Sequence, residues 1–176
     1  VNIWEPVAFG GSNTKNYVQD KGAALYRRSL YTFWKRTAPA PSMSTFDAPA
    51  RENFCMVRPR SNTPLQALAL MNDVQHFEAA RGFAERLLLP TQTDAERLAL
   101  AFRSATARTP DAGELSLLST ALETHRGQFS RDPEAARRVI TNGESKPSDR
   151  IPAPEFAAWT MVANLVLNLD ETVNCN

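Results

Sequence analysis

Residues 62–90 read NTPLQALALMNDVQHFEAARGFAERLLLP, and the punctuation of this stretch decides the fold. Asn62 or Thr63 is suited to cap a helix, and Pro64 falls at its first position, where a missing N–H costs nothing. Leu65, Leu68 and Met71 follow at helical spacing and are expected to face inward. Asn72-Asp73 breaks the run, because both side chains compete for backbone hydrogen bonds. Asp73 then caps a second helix, in which Phe77, Ala80, Phe83, Ala84, Leu87 and Leu88 share one apolar face, and Pro90 ends it.

The same grammar continues towards the C-terminus. Asp94 is expected to cap a helix to about Arg108, with Leu98, Phe102 and Ala105 as its stripe and Arg103 and Arg108 in its last turns, where cations suit the dipole. Thr109-Pro110-Asp111 with Glu114 opens a fourth helix to about Phe129, whose core positions are Leu115, Leu118, Leu122 and Phe129. Asp132-Pro133-Glu134 opens a short fifth, closed by Asn142-Gly143. After a polar, proline-bearing loop, Pro154 starts a last helix that buries Phe156, Trp159, Val162, Ala163, Val166 and Leu167. Short connections favour antiparallel packing.

Towards the N-terminus the pattern changes. Leu25 to Trp34 is dense in Leu, Tyr, Phe and Trp, a composition that favours a strand, although Leu30, Phe33 and Trp34 also fit a helix. Pro39, Pro41 and Pro49 forbid regular structure across 37–49. Loops of that length are usually functional or used for contact. Residues 1–22 read as an arm anchored by Trp4 and Phe9. The expectation is a single domain over 1–176, with 1–60 an extended arm and loop region and 61–176 a helical body. The fold class is mainly α: an irregular bundle of about six helices, with an extended, proline-rich N-terminal third carrying one or two short strands.

A chain of 176 residues with 43% apolar content builds one real core. Net charge is +1, which argues against nucleic acid and an anionic membrane. Between Lys21 and Arg60, however, eight Lys or Arg face only Asp47 and Glu52. The apolar run 156–169 is too short and polar to span a bilayer. Cys55 and Cys175 are no CxxC motif; in an oxidising compartment they are candidates for a disulfide, and otherwise two unpaired thiols. His76 is expected to pack at an interface and His125 to face solvent, and neither has the company a metal site needs. No pattern for nucleophilic, phosphate-binding, metal or haem chemistry occurs. Catalytic, cofactor and metal residues are therefore assigned as none. Asp170-Glu171 is expected to pair with the basic stretch, and Asp47, Arg51 and Glu52 to pin the proline-rich loop through ion pairs.

RRSLYTFWKR (27–36), the proline pair after it, FDAP-RE (46–52), NTPLQALALMND (62–73) and FAAWTMVANLVLNLDET (156–172) together resemble one family. It is the C-terminal domain of unknown function of the large planctomycete-type, cytochrome-c-associated exported proteins. The resemblance implies a mostly helical domain, export beyond the cytoplasmic membrane, and a position after another uncharacterised domain. It carries no catalytic residue onto this chain. These residues contain no CxxCH, so no c-type haem is expected on them; if the chain is complete without the family's usual upstream domain, an apolar surface is expected to be left to meet something else.

Two functional expectations follow. The first is a non-catalytic structural or interaction subunit, periplasmic or extracellular and peripheral to a membrane. It would stabilise a larger assembly, such as a cytochrome-containing electron-transfer, respiratory or photosynthetic complex. Its partners would be other protein subunits. Its contact residues would be Tyr31, Phe33, Trp34, Lys35, Arg36, Met43 and Phe46, since aromatic and Arg side chains on rigid loops make good protein contacts. The alternative is a C-terminal fragment of an exported carbohydrate-active or oxidoreductase-linked enzyme. There Arg27, Arg28, Asp47, Arg51, Glu52, Asn72 and Asp73 would line a cleft, with Asp47 and Glu52 or Asp73 as a carboxylate pair.

Overall fold

Asp73 accepts from the backbone N–H groups of Gln75 (2.9 Å) and His76 (3.3 Å), and this cap separates the two helices of the 62–90 stretch. The computed structural model describes residues 16, 18–35, 39–90 and 92–173. Among them are eight α-helices: α1 (Pro41–Thr45), α2 (Pro64–Asn72), α3 (Val74–Leu88), α4 (Asp94–Thr106), α5 (Ala112–Arg131), α6 (Pro133–Ile140), α7 (Ala153–Leu167) and α8 (Asp170–Val173). The chain divides into two compact units, Val1–Ala69 and Leu70–Asn176.

The second unit is organised on α7. This helix packs against α3, α4, α5, α6 and α8. Five consecutive residues, Phe156 to Thr160, are buried, so over this stretch α7 is enclosed on all sides rather than on a stripe. Its buried polar side chains Thr160 and Asn164 are hydrogen-bonded. The Thr160 hydroxyl donates to the Phe156 carbonyl at 2.8 Å, and Asn164 Nδ2 donates to the Met71 carbonyl at 3.2 Å. Around it Phe83, Leu87, Leu98, Phe102, Leu118, Leu122, Phe129 and Ile140 complete the core.

Caps explain the helix starts. Asp111 and Glu114 form a reciprocal capping box at α5, and Asp132 accepts from the Ala135 N–H at 2.9 Å at α6. The cap of α4 is Thr93, not Asp94, because Thr93 and Glu96 close a capping box. That releases Asp94 to accept from Arg126 at 2.7 Å. Arg126 also donates to Glu155 at 2.8 Å, so one guanidinium links α4, α5 and α7.

Several expectations are corrected. Residues 37–49 do hold regular structure, because Pro41 sits in the first turn of α1, where its missing N–H costs nothing. Residues 22–31 form two 3-10 turns, Gly22–Tyr26 and Ser29–Tyr31, and no strand exists among the described residues. The β-favouring side chains have no neighbouring strand there to pair with. Leu65, Leu68 and Met71 are exposed; on α2 it is Gln66 that is buried. His125 is half-buried and stacks on Phe129, and its Nδ1 has no hydrogen-bond partner. Glu171 pairs with Arg108 at 2.7 Å, within the second unit. The same Arg108 binds Glu114 and lies 4.7 Å over the Phe102 ring, so it joins α4, α5 and α8. Trp4, Phe9, Arg36 and Cys175 lie outside the described residues, and so does the candidate Cys55–Cys175 bridge.

Candidate functional site

The first unit is held by a knot of polar side chains. Thr63 and Gln66 cap α2 reciprocally: the Thr63 N–H donates to Gln66 Oε1 at 2.8 Å, and the Gln66 N–H to Thr63 Oγ1 at 3.3 Å. The other end of the Gln66 amide donates to the Thr45 carbonyl at 2.8 Å and to Ser61 Oγ at 3.0 Å. Ser61 in turn donates its N–H to Asp47 at 2.8 Å and its hydroxyl to Asp47 at 2.8 Å. These bonds, led by the Ser61 backbone donor, hold the Asp47 carboxyl below the usual carboxylate range.

Asp47 and Arg51 both sit at positive φ, 56° and 61°. Such conformations are uncommon outside glycine and persist where surroundings impose them. The knot therefore closes the base of a loop, residues 48–60. Within it, residues 50–60 are all exposed.

The exposed residues of this loop are unusual. Phe54, Met56 and Val57 are 91%, 85% and 82% exposed. Nearby in sequence, Leu30, Tyr31 and Phe33 are exposed as well. Among the described residues of the first unit the one fully buried residue is Gln66. Arg51, Arg58 and Arg60 flank the loop tip, and Arg27 and Arg28 are also exposed.

The expected contact residues divide. Tyr31 and Phe33 are exposed, while Trp34, Lys35, Met43 and Phe46 are half-buried. Trp34 lies beneath Arg51, whose guanidinium is 4.7 Å from the ring, and its Nε1 is buried without an acceptor. Asp47 takes its bonds from Ser61 and Gln66, not from arginine. Glu52 is exposed, Asp73 is committed to capping α3, and Cys55 is exposed with its thiol donating to the Val57 carbonyl at 3.2 Å. His76 is exposed.

Sequence reasoning missed Phe54, Met56 and Val57 as surface residues. The available signal was an apolar run between arginines that fits neither a helical nor an alternating period. It also missed a buried pair in the second unit. Glu78 and Arg81 are 5% and 2% exposed. Arg81 donates to the carbonyls of Ile140 (2.6 Å), Asn142 (2.9 Å) and Ser145 (2.8 Å), and Glu78 accepts from the N–H groups of Glu144 (2.9 Å) and Ser145 (2.7 Å). The Ser145 hydroxyl also donates to Glu78. Every one of these bonds holds the loop after α6, which is structural work.

Among the described residues no group of three or more His, Cys, Asp or Glu is arranged to hold a metal ion, and no helix is long and apolar enough to cross a membrane. A shallow concavity lined by Glu123, Thr124, Gly127, Gln128 and Arg131 runs along α5 alone. Together these features describe a helical body with an exposed apolar and basic loop system. A family model described as PSD1, protein of unknown function (DUF1553), matches residues 2–122. The chain belongs to this family of uncharacterised domains. No curated protein and no solved structure matches it.

Proposed function

We propose that the chain is a non-catalytic interaction module that stabilises a larger protein assembly outside the cytoplasmic membrane. The supporting observation is the first unit, where large apolar side chains are exposed and the one buried residue described is a glutamine. Among the described residues of this unit no apolar side chain is fully buried, and covering exposed apolar surface gains free energy at about 25 cal/mol per Å². Exposed apolar patches rimmed by polar groups mark contact sites. The resemblance to cytochrome-c-associated exported proteins supports the compartment, and it extends the proposal to an electron-transfer, respiratory or photosynthetic complex at a membrane surface.

The test is purification of the full chain from its source at low and high salt, with and without detergent, followed by light scattering on the eluting species. Elution at constant stoichiometry with other subunits is the expected result. A chain that runs alone under every salt and detergent condition overturns the proposal.

A further inference from the structure

We infer that loop 48–60, fixed at its base, is a docking finger for a folded protein whose matching face is an apolar groove with an acidic rim. The inference rests on the interaction-module reading and adds the contact element and the chemistry of the partner.

Three observations carry it. First, the base of the finger is fixed. Asp47 and Ser61 are joined through the Ser61 N–H and hydroxyl at 2.8 Å each, with Gln66 bonded to Ser61 beside them. Closing the base limits the conformations the loop can sample and so lowers the entropy lost when it docks. Second, the tip is apolar: Phe54, Met56 and Val57 are more than four-fifths exposed. Third, the flanks are basic. Between Ala50 and Arg60 there are three arginines, Arg51, Arg58 and Arg60, against Glu52. Complementarity then calls for carboxylates around the receiving groove.

The same features choose among occupants. From Asn53 to Arg60 the hydrogen bond present among the described residues is that of the Cys55 thiol to the Val57 carbonyl. The backbone N–H and C=O groups of the tip are otherwise open. Hydrocarbon cannot satisfy them, so insertion into a bilayer is costly, whereas a protein groove supplies donors and acceptors. A symmetric pairing with a second copy, loop against loop, would bring arginines against arginines. The occupant is therefore a different protein with an acidic surface.

The experiment places a photoreactive benzoylphenylalanine at Phe54, and in a separate variant at Leu30, in the full chain within its source cells. Mass spectrometry reads the cross-linked peptide. The captured protein is then purified and its binding to the wild-type chain measured at low and high salt. The expected result is a Phe54 adduct on another protein, beside Asp or Glu residues. Its affinity should fall roughly tenfold on raising the salt and roughly tenfold in the Arg58→Glu/Arg60→Glu variant. The serine triple variant at Phe54, Met56 and Val57 should lose binding while far-ultraviolet circular dichroism is unchanged.

An adduct on a lipid or on a second copy overturns the inference, as does binding indifferent to salt and to charge reversal. An adduct at Leu30 alone overturns the finger and leaves the interaction module standing. No adduct at either position, with the chain running alone, overturns both.

Discussion

The carboxylate of Asp47 accepts both the N–H and the hydroxyl of Ser61, at 2.8 Å each, across fourteen positions of chain. Asp47 does this from a left-handed backbone conformation, φ 56°. Asp47→Ala removes the acceptor and puts a less tolerant residue at positive φ. We expect the Ser61 amide, protected in the wild type, to exchange at near-random-coil rate by hydrogen–deuterium exchange. Asp47→Asn, which tolerates the backbone and keeps one acceptor, should retain partial protection. The α7 amides should be unchanged in both. Unaltered Ser61 protection in Asp47→Ala would show that the bond does not hold the loop.

Glu78 and Arg81 are buried together, and each is satisfied mainly by backbone of residues 140–145. Removing one member leaves the other charge buried. Arg81→Met should destabilise the second unit by about 3–5 kcal/mol in urea denaturation. The double variant Glu78→Leu/Arg81→Met should cost less than the sum of the two single changes, because neither charge is then stranded. Additive costs would mean that the two side chains act independently.

Gly143 has φ +105°, and a Cβ at this position would fall on the Glu78 carboxylate. Gly143→Ala therefore combines backbone strain with a clash, and should destabilise the second unit by about 1–3 kcal/mol. In a Glu78→Ala background the clash disappears and only the backbone part should remain. Equal costs in the two backgrounds would assign the whole effect to the backbone.

Much of the helical body was legible because its signals are local. Asp73, Asp111 and Asp132 cap as their neighbours imply, and Pro64 and Pro133 open helices. Thr93 was overlooked although Glu96 follows three residues later, the mark of a capping box. What depends on distant partners was not legible. Glu78 meets Glu144 and Ser145 across more than sixty positions, and Arg108 meets Glu171 across 63. The aromatic run 30–34 carries strand propensity, but propensity expresses fit to a pleated neighbour, and none is present there. In the candidate site, the aromatic and basic character was readable. The exposure of Phe54, Met56 and Val57 was not, because apolar side chains are more often buried and no local pattern marks these as surface.

The ion pairs of Arg108 predict acid sensitivity. Its side-chain hydrogen bonds, followed by the Asp111 backbone donor, hold Glu114 down from 4.5 to about 2. The same guanidinium lowers Glu171. A depressed folded-state value contributes stability that is present above the ordinary value and lost as pH falls through the folded one. Thermal melts of the second unit should thus be flat above about pH 5 and fall between about 4.5 and about 2. Arg108→Gln should shallow that fall. An unchanged slope would place the acid-sensitive carboxylates elsewhere.

Trp159 tests whether burial or hydrogen bonding holds α7 in place. The side chain is fully buried, and its Nε1 donates to Glu155 at 2.9 Å. Glu155 also accepts from Arg126 at 2.8 Å, so its carboxylate stays paired if the indole is removed. Trp159→Phe deletes the donor and part of the ring, while Trp159→Ala deletes the packing as well. Because Arg126 keeps Glu155 satisfied, the lost hydrogen bond should contribute only about 1 kcal/mol. Truncation to alanine should cost about 3–5 kcal/mol, because five helices close around this residue's helix and cannot collapse far into the void. Urea midpoints for the two variants decide the matter. If Trp159→Phe is as damaging as Trp159→Ala, the Glu155 link and not the packed ring fixes the central helix.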